Sequence, residues 1–275
     1  MTRYRGSVPL TDDWRHFRFA VADGVATVTL DRPEKLNPLT FESYADLRDL
    51  LHELPHRDDT RVLVIRGEGK GFCGGGDVNE IIGELIKMDA AGLMGFTKMT
   101  GDVIKAMREC PVPIVSGIQG IAAGAGSVIA LASDFRVCST SARFAFLFTK
   151  VGLSGGDMGA AYLLPRVVGA GRATQLLMLG DTIDAQTADR YGLVSELVAD
   201  DELDDAVRRL ARRLADGPTL AYAQTKSLIT RELDMPLGAA MELDAMTQAL
   251  LMTTDDHAEF HAAFNDRRPP QWKGT

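Results

Sequence analysis

The stretch "FLFTKVGLSGGDMG", residues 146–159, carries one carboxylate, Asp157, among glycines and apolar side chains. A carboxylate in such a setting can take up or deliver a proton at a reacting carbon or a water. It can also simply start a helix. "MGAAYLLP" follows directly, and Asp is a favoured N-cap, worth typically ~1 kcal/mol. The two roles are compatible, because a capping Asp can still face a cavity. Two glycine-rich turns add a second chemistry. "GFCGGGDV" (71–78) and "GIAAGAGSVIAL" (120–131) each follow a strand-like run. Small residues let the backbone come close to a ligand and turn N–H groups toward it. The second turn opens a helix near Gly124, where free N–H groups favour developing negative charge. Each turn alone also reads as a tight bend or as close helix–sheet packing. Two in one chain point to a pair of donors for an oxyanion. Neither is a phosphate loop, since no Gly-Lys-Ser/Thr follows at the right gap.

These residues need a scaffold. "FRFAVADGVATVTLDRP" reads as a hairpin, with strands over 17–21 and 25–30 around an Asp23-Gly24 turn. "TFESYADLRDLLHEL" has helical spacing at Leu47, Leu50, Leu51 and Leu54, with Thr40, Ser43 and Asp46 at its start. "RVLVIRG" and "PVPIVSGI" read as buried strands, and "FRVCST", "ARFAF" and "LVSELV" as shorter ones. Residues 79–110 read as largely helical, as do "GAAYLLPRVVG" and "RATQLLMLG". Strands and helices alternate to about residue 200, and from Asp201 the pattern is helical. This predicts an α/β core with parallel strands over residues 14–200 and a helical region over 201–275. Residues 1–13 read as a loose arm, and no simple sequence repeat is visible.

The 275 residues suffice for a large core, and 45% hydrophobic with 25% charged residues excludes general disorder. A net charge of −8 argues against a nucleic-acid or anionic-membrane binder. Cys73, Cys110 and Cys138 have no metal spacing and read as reduced thiols. The start has no apolar core, so no signal peptide is expected, and no run is long enough to span a bilayer. A cytoplasmic location is expected. His257 and His261 stand four apart on a predicted helix without an evident third ligand, so no metal site is expected.

The motifs "LDRPEKLNPLT", "GKGFCGGGDV", "PVPIVSGIQGIAAGAGS", "ASDFRVCSTSARFAF", "LLPRVVG" and "AFNDRRPPQWKG" occur in an order and spacing that together resemble the enoyl-CoA hydratase/isomerase (crotonase) family. The resemblance covers nearly the whole chain. It implies a spiral of β-β-α units with a C-terminal helical oligomerisation region, and a homotrimer or a dimer of trimers. It implies that the N–H groups of Gly76 and Ala125 hold the oxygen of an acyl-CoA thioester as it becomes an enolate. By the same carry-over Lys35, Leu36 and Pro38 lie beside the nucleotide of coenzyme A, and Gly74, Gly75, Gly76, Asp77 and Val78 flank it. Arg32, Lys35 and Lys70 would answer its phosphates, and Phe264 and Arg267 match positions that cover adenine. No cofactor is implied beyond the coenzyme A of the substrate.

The resemblance also exposes a departure. The two positions where family hydratases carry glutamates are here Val128 and Phe148, and neither side chain can transfer a proton. Both would instead line an apolar acyl pocket. Asp157, eight residues before Pro165, matches the catalytic Asp of related isomerases, but one extra residue separates it from Gly152-Leu153. Ser127 and Tyr162 are further candidates to orient water. The expected function is isomerisation, or hydration of an unusual enoyl-CoA, with Asp157 as acid/base. The alternatives are thioester hydrolysis or carbon–carbon cleavage through Asp157, and acyl-CoA binding without turnover. Met88, Met94, Met99 and Met107 read either as pocket lining or as core.

Overall fold

A computed structural model describes residues 11–275; most of the expected N-terminal arm therefore lies outside the described residues. The hairpin forms as expected. β1 (Arg18–Ala22) pairs antiparallel with β2 (Val25–Leu30). Asp23 and Gly24 both take positive φ, 51° and 78°, as a two-residue hairpin turn of this type demands. β3 (Val62–Gly67), β4 (Ile114–Ile118), β6 (Phe135–Ser139) and β9 (Glu196–Val198) then add in parallel, giving the order β1-β2-β3-β4-β6-β9.

The near-continuous apolar runs of β3 and β4 follow from burial on both faces. Leu63, Ile65, Ile114 and Ile118 point into the main core. Val62, Val64 and Val115 point the other way, onto helix α8 (Leu203–Ala215), where they meet Leu203, Val207 and Leu214. Successive residues of a strand alternate faces, so the two cores are read by the same strands. The helical region after residue 200 thus begins with an element that covers the large sheet.

A second sheet holds β5 (Ile121–Ala123), β7 (Arg143–Ala145) and β8 (Ile183–Asp184), with β5 and β7 parallel. β5 falls inside "QGIAAGAG", which reads as a turn in the sequence. Three small residues carry no periodicity by which a strand could be told from a bend. Two single bridges extend this layer, Cys73 with Ala122 and Leu39 with Gly76. The architecture is therefore a spiral. A strand of the large sheet is followed by a short extended piece at the small sheet, then by a helix.

Four such units follow one another. β2 leads through Leu39 to α1 (Phe41–Glu53), and β3 leads through residues 73–76 to α2 (Gly83–Leu85) and α3 (Ala90–Glu109). β4 leads through β5 to α4 (Ala125–Ala132), and β6 through β7 to α5 (Ala160–Val168). α6 (Ala170–Leu179) and α7 (Ala185–Arg190) complete the region before β9. After α8 come α9 (Thr219–Glu232), α10 (Leu237–Leu251) and α11 (Asp255–Asp266), the helical tail that the sequence predicts.

Local chemistry fixes the starts of these helices. Thr40 caps α1 and exchanges hydrogen bonds with Ser43, which satisfies two orphan backbone donors. The expected third member, Asp46, instead accepts a hydrogen bond from His16. Of the methionines before and within α3, Met107 is core, whereas Met88 and Met94 are exposed.

Candidate active site

The first glycine turn is held by Leu39. Its N–H donates to Gly75 O at 2.7 Å, and its carbonyl accepts from Asp77 N at 2.8 Å. In a parallel bridge the residue between those two partners faces its own N–H the other way. Gly76 N–H thus points away from Leu39, and it donates to no backbone or side-chain group among the described residues. Gly75 must be glycine, because its φ is +99° and a Cβ would come 3.0 Å from Ala123 O and 3.7 Å from Ala125 N. The two glycine turns are therefore in direct contact.

Asp77 fixes the other side of Gly76. Its Oδ1 accepts from Asn79 N at 3.0 Å and Glu80 N at 3.1 Å, capping the helical turn Val78–Ile82. The Glu80 N–H above all, with Asn79 N–H and the charges of Lys35 and Arg32, holds its pKa below the usual carboxylate range. Arg32 Nη2 lies 3.1 Å and Lys35 Nζ 3.5 Å from Oδ2. This is ion pairing without aligned hydrogen bonds, since Oδ2 has no hydrogen-bond partner of proper geometry. Two of the three cations expected to meet phosphates are thus shared with Asp77 and Glu80.

The loop before α1 lies against the same turn. Leu36 adopts a left-handed conformation, φ 65°, and its carbonyl accepts from Gly74 N at 2.7 Å. Buried Asn37 donates to Gly71 O at 2.8 Å and Glu68 O at 2.9 Å, and accepts from Arg32 N at 2.9 Å. In the sequence Asn37 reads only as part of a turn. In the structure it stitches the loop to the glycine motif, so Lys35, Leu36 and Pro38 stand beside Gly74–Val78. Exposed Leu36 and Val78 form apolar edges there.

The second turn presents its donor by helix geometry. Gly124, with φ 51° and ψ −119°, redirects the chain into α4. The first bond across that helix start runs from Val128 N to Gly124 O, at 3.2 Å. Ala125 N–H, one residue into the helix, has no acceptor among the described residues, as expected for a first-turn donor. Gly126 lets α4 seat on the first turn, because a Cβ there would come 2.3 Å from Cys73 O. Ser127 does not orient water. Its hydroxyl lies 2.6 Å from Ala122 O and 2.9 Å from Ala145 O, buried between strands of the small sheet.

Asp157 opens a short 3-10 turn, Asp157–Gly159, packed against α3 and α4. It does not cap α5, whose N-cap is Gly159 without a side-chain bond. The capping role expected from the sequence fails because Met158 takes a left-handed φ of 52° and breaks the run between Asp157 and the helix. Asp157 Oδ1 accepts from Met158 N at 2.9 Å, and no ion pair reaches the carboxylate among the described residues. Partial burial raises its pKa above the ordinary value, against the weaker opposing pull of the Met158 N–H. Its charge also acts on Tyr44, a buried residue of α1 whose hydroxyl lies 3.8 Å from where a Cβ on Gly76 would stand. Tyr44 thus stands beside the first glycine turn. The sequence analysis does not single it out; it stands three residues before Leu47.

The remaining candidates are placed as follows. Val128 and Phe148 are both buried in the main core, so each glutamate position is filled by an apolar side chain. Tyr162 does not serve the site, since its hydroxyl donates to Asp234 and its ring lies under Arg166. Cys73, beside the first turn, is pushed up to about 12 by burial even though Gly75 N–H bonds to its sulfur, so it is no nucleophile. Phe264 and Arg267 lie at the end of α11, and Phe264 is exposed. A depression of about 880 Å³ lies along β1 and β2 and is lined by none of Gly76, Ala125 and Asp157. The candidate site is read from the N–H groups of Gly76 and Ala125, with Asp157 as an acid that no described cation pairs.

Residues 20–275 match the family model described as enoyl-CoA hydratase/isomerase. The chain is 34% identical to the 1,2-epoxyphenylacetyl-CoA isomerase of Escherichia coli K12, over 92% of this chain and 97% of that one. It is 35% identical to the (E)-benzylidenesuccinyl-CoA hydratase of Thauera aromatica, over 93% and 98% of the two chains. Among solved structures, an enoyl-CoA hydratase candidate from Streptomyces coelicolor A3(2) matches with a TM-score of 0.97 and 65% identity, covering 100% of both chains.

Proposed function

The chain belongs to the enoyl-CoA hydratase/isomerase family, and on that footing we propose that it isomerises an enoyl-CoA, or hydrates an unusual one, through a thioester enolate. In the isomerisation, the Asp157 carboxylate removes a proton from the carbon next to the conjugated double bond. The electron pair moves through the double bond to the thioester oxygen, which the N–H groups of Gly76 and Ala125 hold. Asp157 then returns the proton to another carbon of the same system, and the enolate collapses. The proton account balances without any further reactant. One donor of this kind typically contributes a factor of roughly a hundred to a thousand in rate.

The observation that carries this reading is Asp157, a half-buried acid that no described cation pairs. A two-carboxylate hydration needs one group to activate water and another to supply the proton, whereas Val128 and Phe148 are apolar and buried. One carboxylate of raised pKa suits a shuttle, because it binds a proton well enough to carry it. The relatives include both an isomerase and a hydratase of coenzyme A thioesters, so the coarse chemistry accommodates either outcome.

Lys35, Leu36, Pro38, Gly74, Gly75, Asp77 and Val78 are assigned to coenzyme A, with Lys70 as the cation that no carboxylate engages among the described residues. Val128 and Phe148 are assigned to the wall of the acyl pocket. The reaction calls on coenzyme A only as part of the substrate. A cytoplasmic homotrimer or dimer of trimers is the form proposed for the working enzyme.

Replacing Asp157 with Asn tests the assignment on a panel of straight, branched and cyclic enoyl-CoAs. Turnover should fall at least about a hundredfold, while acyl-CoA affinity stays nearly unchanged. Normal turnover in Asp157→Asn would sink the role of Asp157. Binding without turnover of every panel member by the unaltered protein would favour an acyl-CoA-binding protein. Release of free coenzyme A would favour thioester hydrolysis.

A further inference from the structure

Tyr44 is almost fully buried, at 3% exposure, yet its hydroxyl makes no hydrogen bond to any described group. Its ring is well explained by packing. It meets Phe96 edge-on at 6.0 Å between centroids, beside the Phe41–Phe96 pair at 5.1 Å. The hydroxyl is not explained by packing, since phenylalanine would fill the same place. A phenol that bonds to no described group is free to meet a ligand.

The position of the hydroxyl indicates the use. It lies 3.8 Å from where a Cβ on Gly76 would stand, on the residue whose free N–H is one arm of the proposed oxyanion hole. The placement is fixed by the backbone. Leu39 bonds both neighbours of Gly76, and α1 begins directly after it, capped by Thr40. Tyr44 N–H donates to Thr40 O at 3.1 Å, so Tyr44 stands one helical turn beyond the cap. The glycine turn and the tyrosine are therefore joined through Leu39 and Thr40.

We propose that Tyr44 is a further catalytic residue, whose O–H donates a third hydrogen bond to the enolate oxygen held by Gly76 and Ala125. This rests on the oxyanion reading above and adds a side-chain donor to it. A neutral phenol is required for donation. Burial first, then the nearby Cys73 and Asp157, raise the Tyr44 pKa well above its ordinary value, which keeps the proton on oxygen. An ionised Asp157 thus helps to hold the phenol in its donating form.

The test uses Tyr44→Phe, which keeps the ring and removes only the hydroxyl. The probe is acetoacetyl-CoA, whose enolate absorbs in the near ultraviolet, so it needs no knowledge of the natural acyl group. The control ligand is a coenzyme A thioether that has no carbonyl oxygen at the same position. Tyr44→Phe should bind the enolate at least about tenfold more weakly and shift the pH at which the bound ligand ionises upward, while thioether affinity changes less than about twofold. Equal enolate affinity in the two proteins overturns the proposal. Equal loss for both ligands also overturns it, because it assigns Tyr44 to packing alone. If the unaltered protein fails to favour the enolate at all, the oxyanion reading itself fails, and the two failures are told apart.

Discussion

Asp157 carries the central claim, and its environment has a cost that can be read in stability. Its pKa in the folded protein is raised, first of all by burial. The folded state therefore binds the Asp157 proton more tightly than the unfolded chain does. Between the unfolded and the folded value the native state holds the greater number of protons, so this group's contribution to stability falls as pH rises through that window. Above it, the ionised carboxylate destabilises the fold by a constant amount. Asp157→Asn removes the penalty and should raise the melting temperature at neutral pH. The advantage should shrink as the pH is lowered below the folded pKa. Melting curves of both proteins across pH 3–8 check this; an Asn variant less stable than the parent at neutral pH would contradict it. Gain of stability with loss of turnover is the trade expected of a catalytic group held in an unfavourable setting.

At the scale of elements, the proposed site lies where two turns touch. Gly75 and Gly126 are obligatory because side chains there would meet Ala123 O and Cys73 O. Gly76 is different, since a Cβ would meet only Ile81 Cδ1 at 3.4 Å and the Tyr44 hydroxyl at 3.8 Å. What Gly76 supplies is an N–H, and any residue has that. This distinction marks how far the sequence could be read. The hairpin, the buried strands, the capped α1 and the long helices were legible because periodicity and capping are local. The assignment of the two donors rests on the order of motifs along the chain. β5 and the bridge at Leu39 were not, because a three-residue strand and a single bridge leave no pattern. Nor were the roles of Asn37 and Tyr44, since a side chain's partners, or their lack, depend on which distant backbone comes near. The reading of Asp157 as a helix cap failed for the same kind of reason, as the left-handed Met158 intervenes.

At the scale of the whole molecule, the four-fold succession of strand, extended piece and helix explains how a chain without visible repeats builds one site from two turns. The helical tail is tied to this body by buried charge. Lys226 of α9 lies 2.8 Å from Asp134 Oδ2 and donates to Val112 O at 3.1 Å, while Arg108 reaches both Asp134 and Thr230. Buried Asp256 accepts from Lys273 N and Gly274 N, which returns the chain end to the body near Arg61. Beyond these ties the tail exposes large apolar side chains. Leu237, Leu250 and Phe264 are 75%, 70% and 72% exposed, and Met241, Met246 and Met252 lie open beside them. Surface of this kind commonly belongs to an interface, and the homotrimer or dimer of trimers proposed above would cover it. Sedimentation at micromolar concentration should therefore give three or six times the mass of the 29.8 kDa chain. A stable monomer would contradict the assembly.

The central claim is that one enolate oxygen sits between two backbone donors within reach of one carboxylate. The most direct test is a crystal structure with a non-reactive acyl-CoA analogue bound. The thioester oxygen should lie within hydrogen-bond distance of both Gly76 N and Ala125 N, about 2.7–3.1 Å, with the Asp157 carboxylate facing the adjoining acyl carbons. An acyl group seated elsewhere, or an Asp157 side chain turned away from it, would contradict the account.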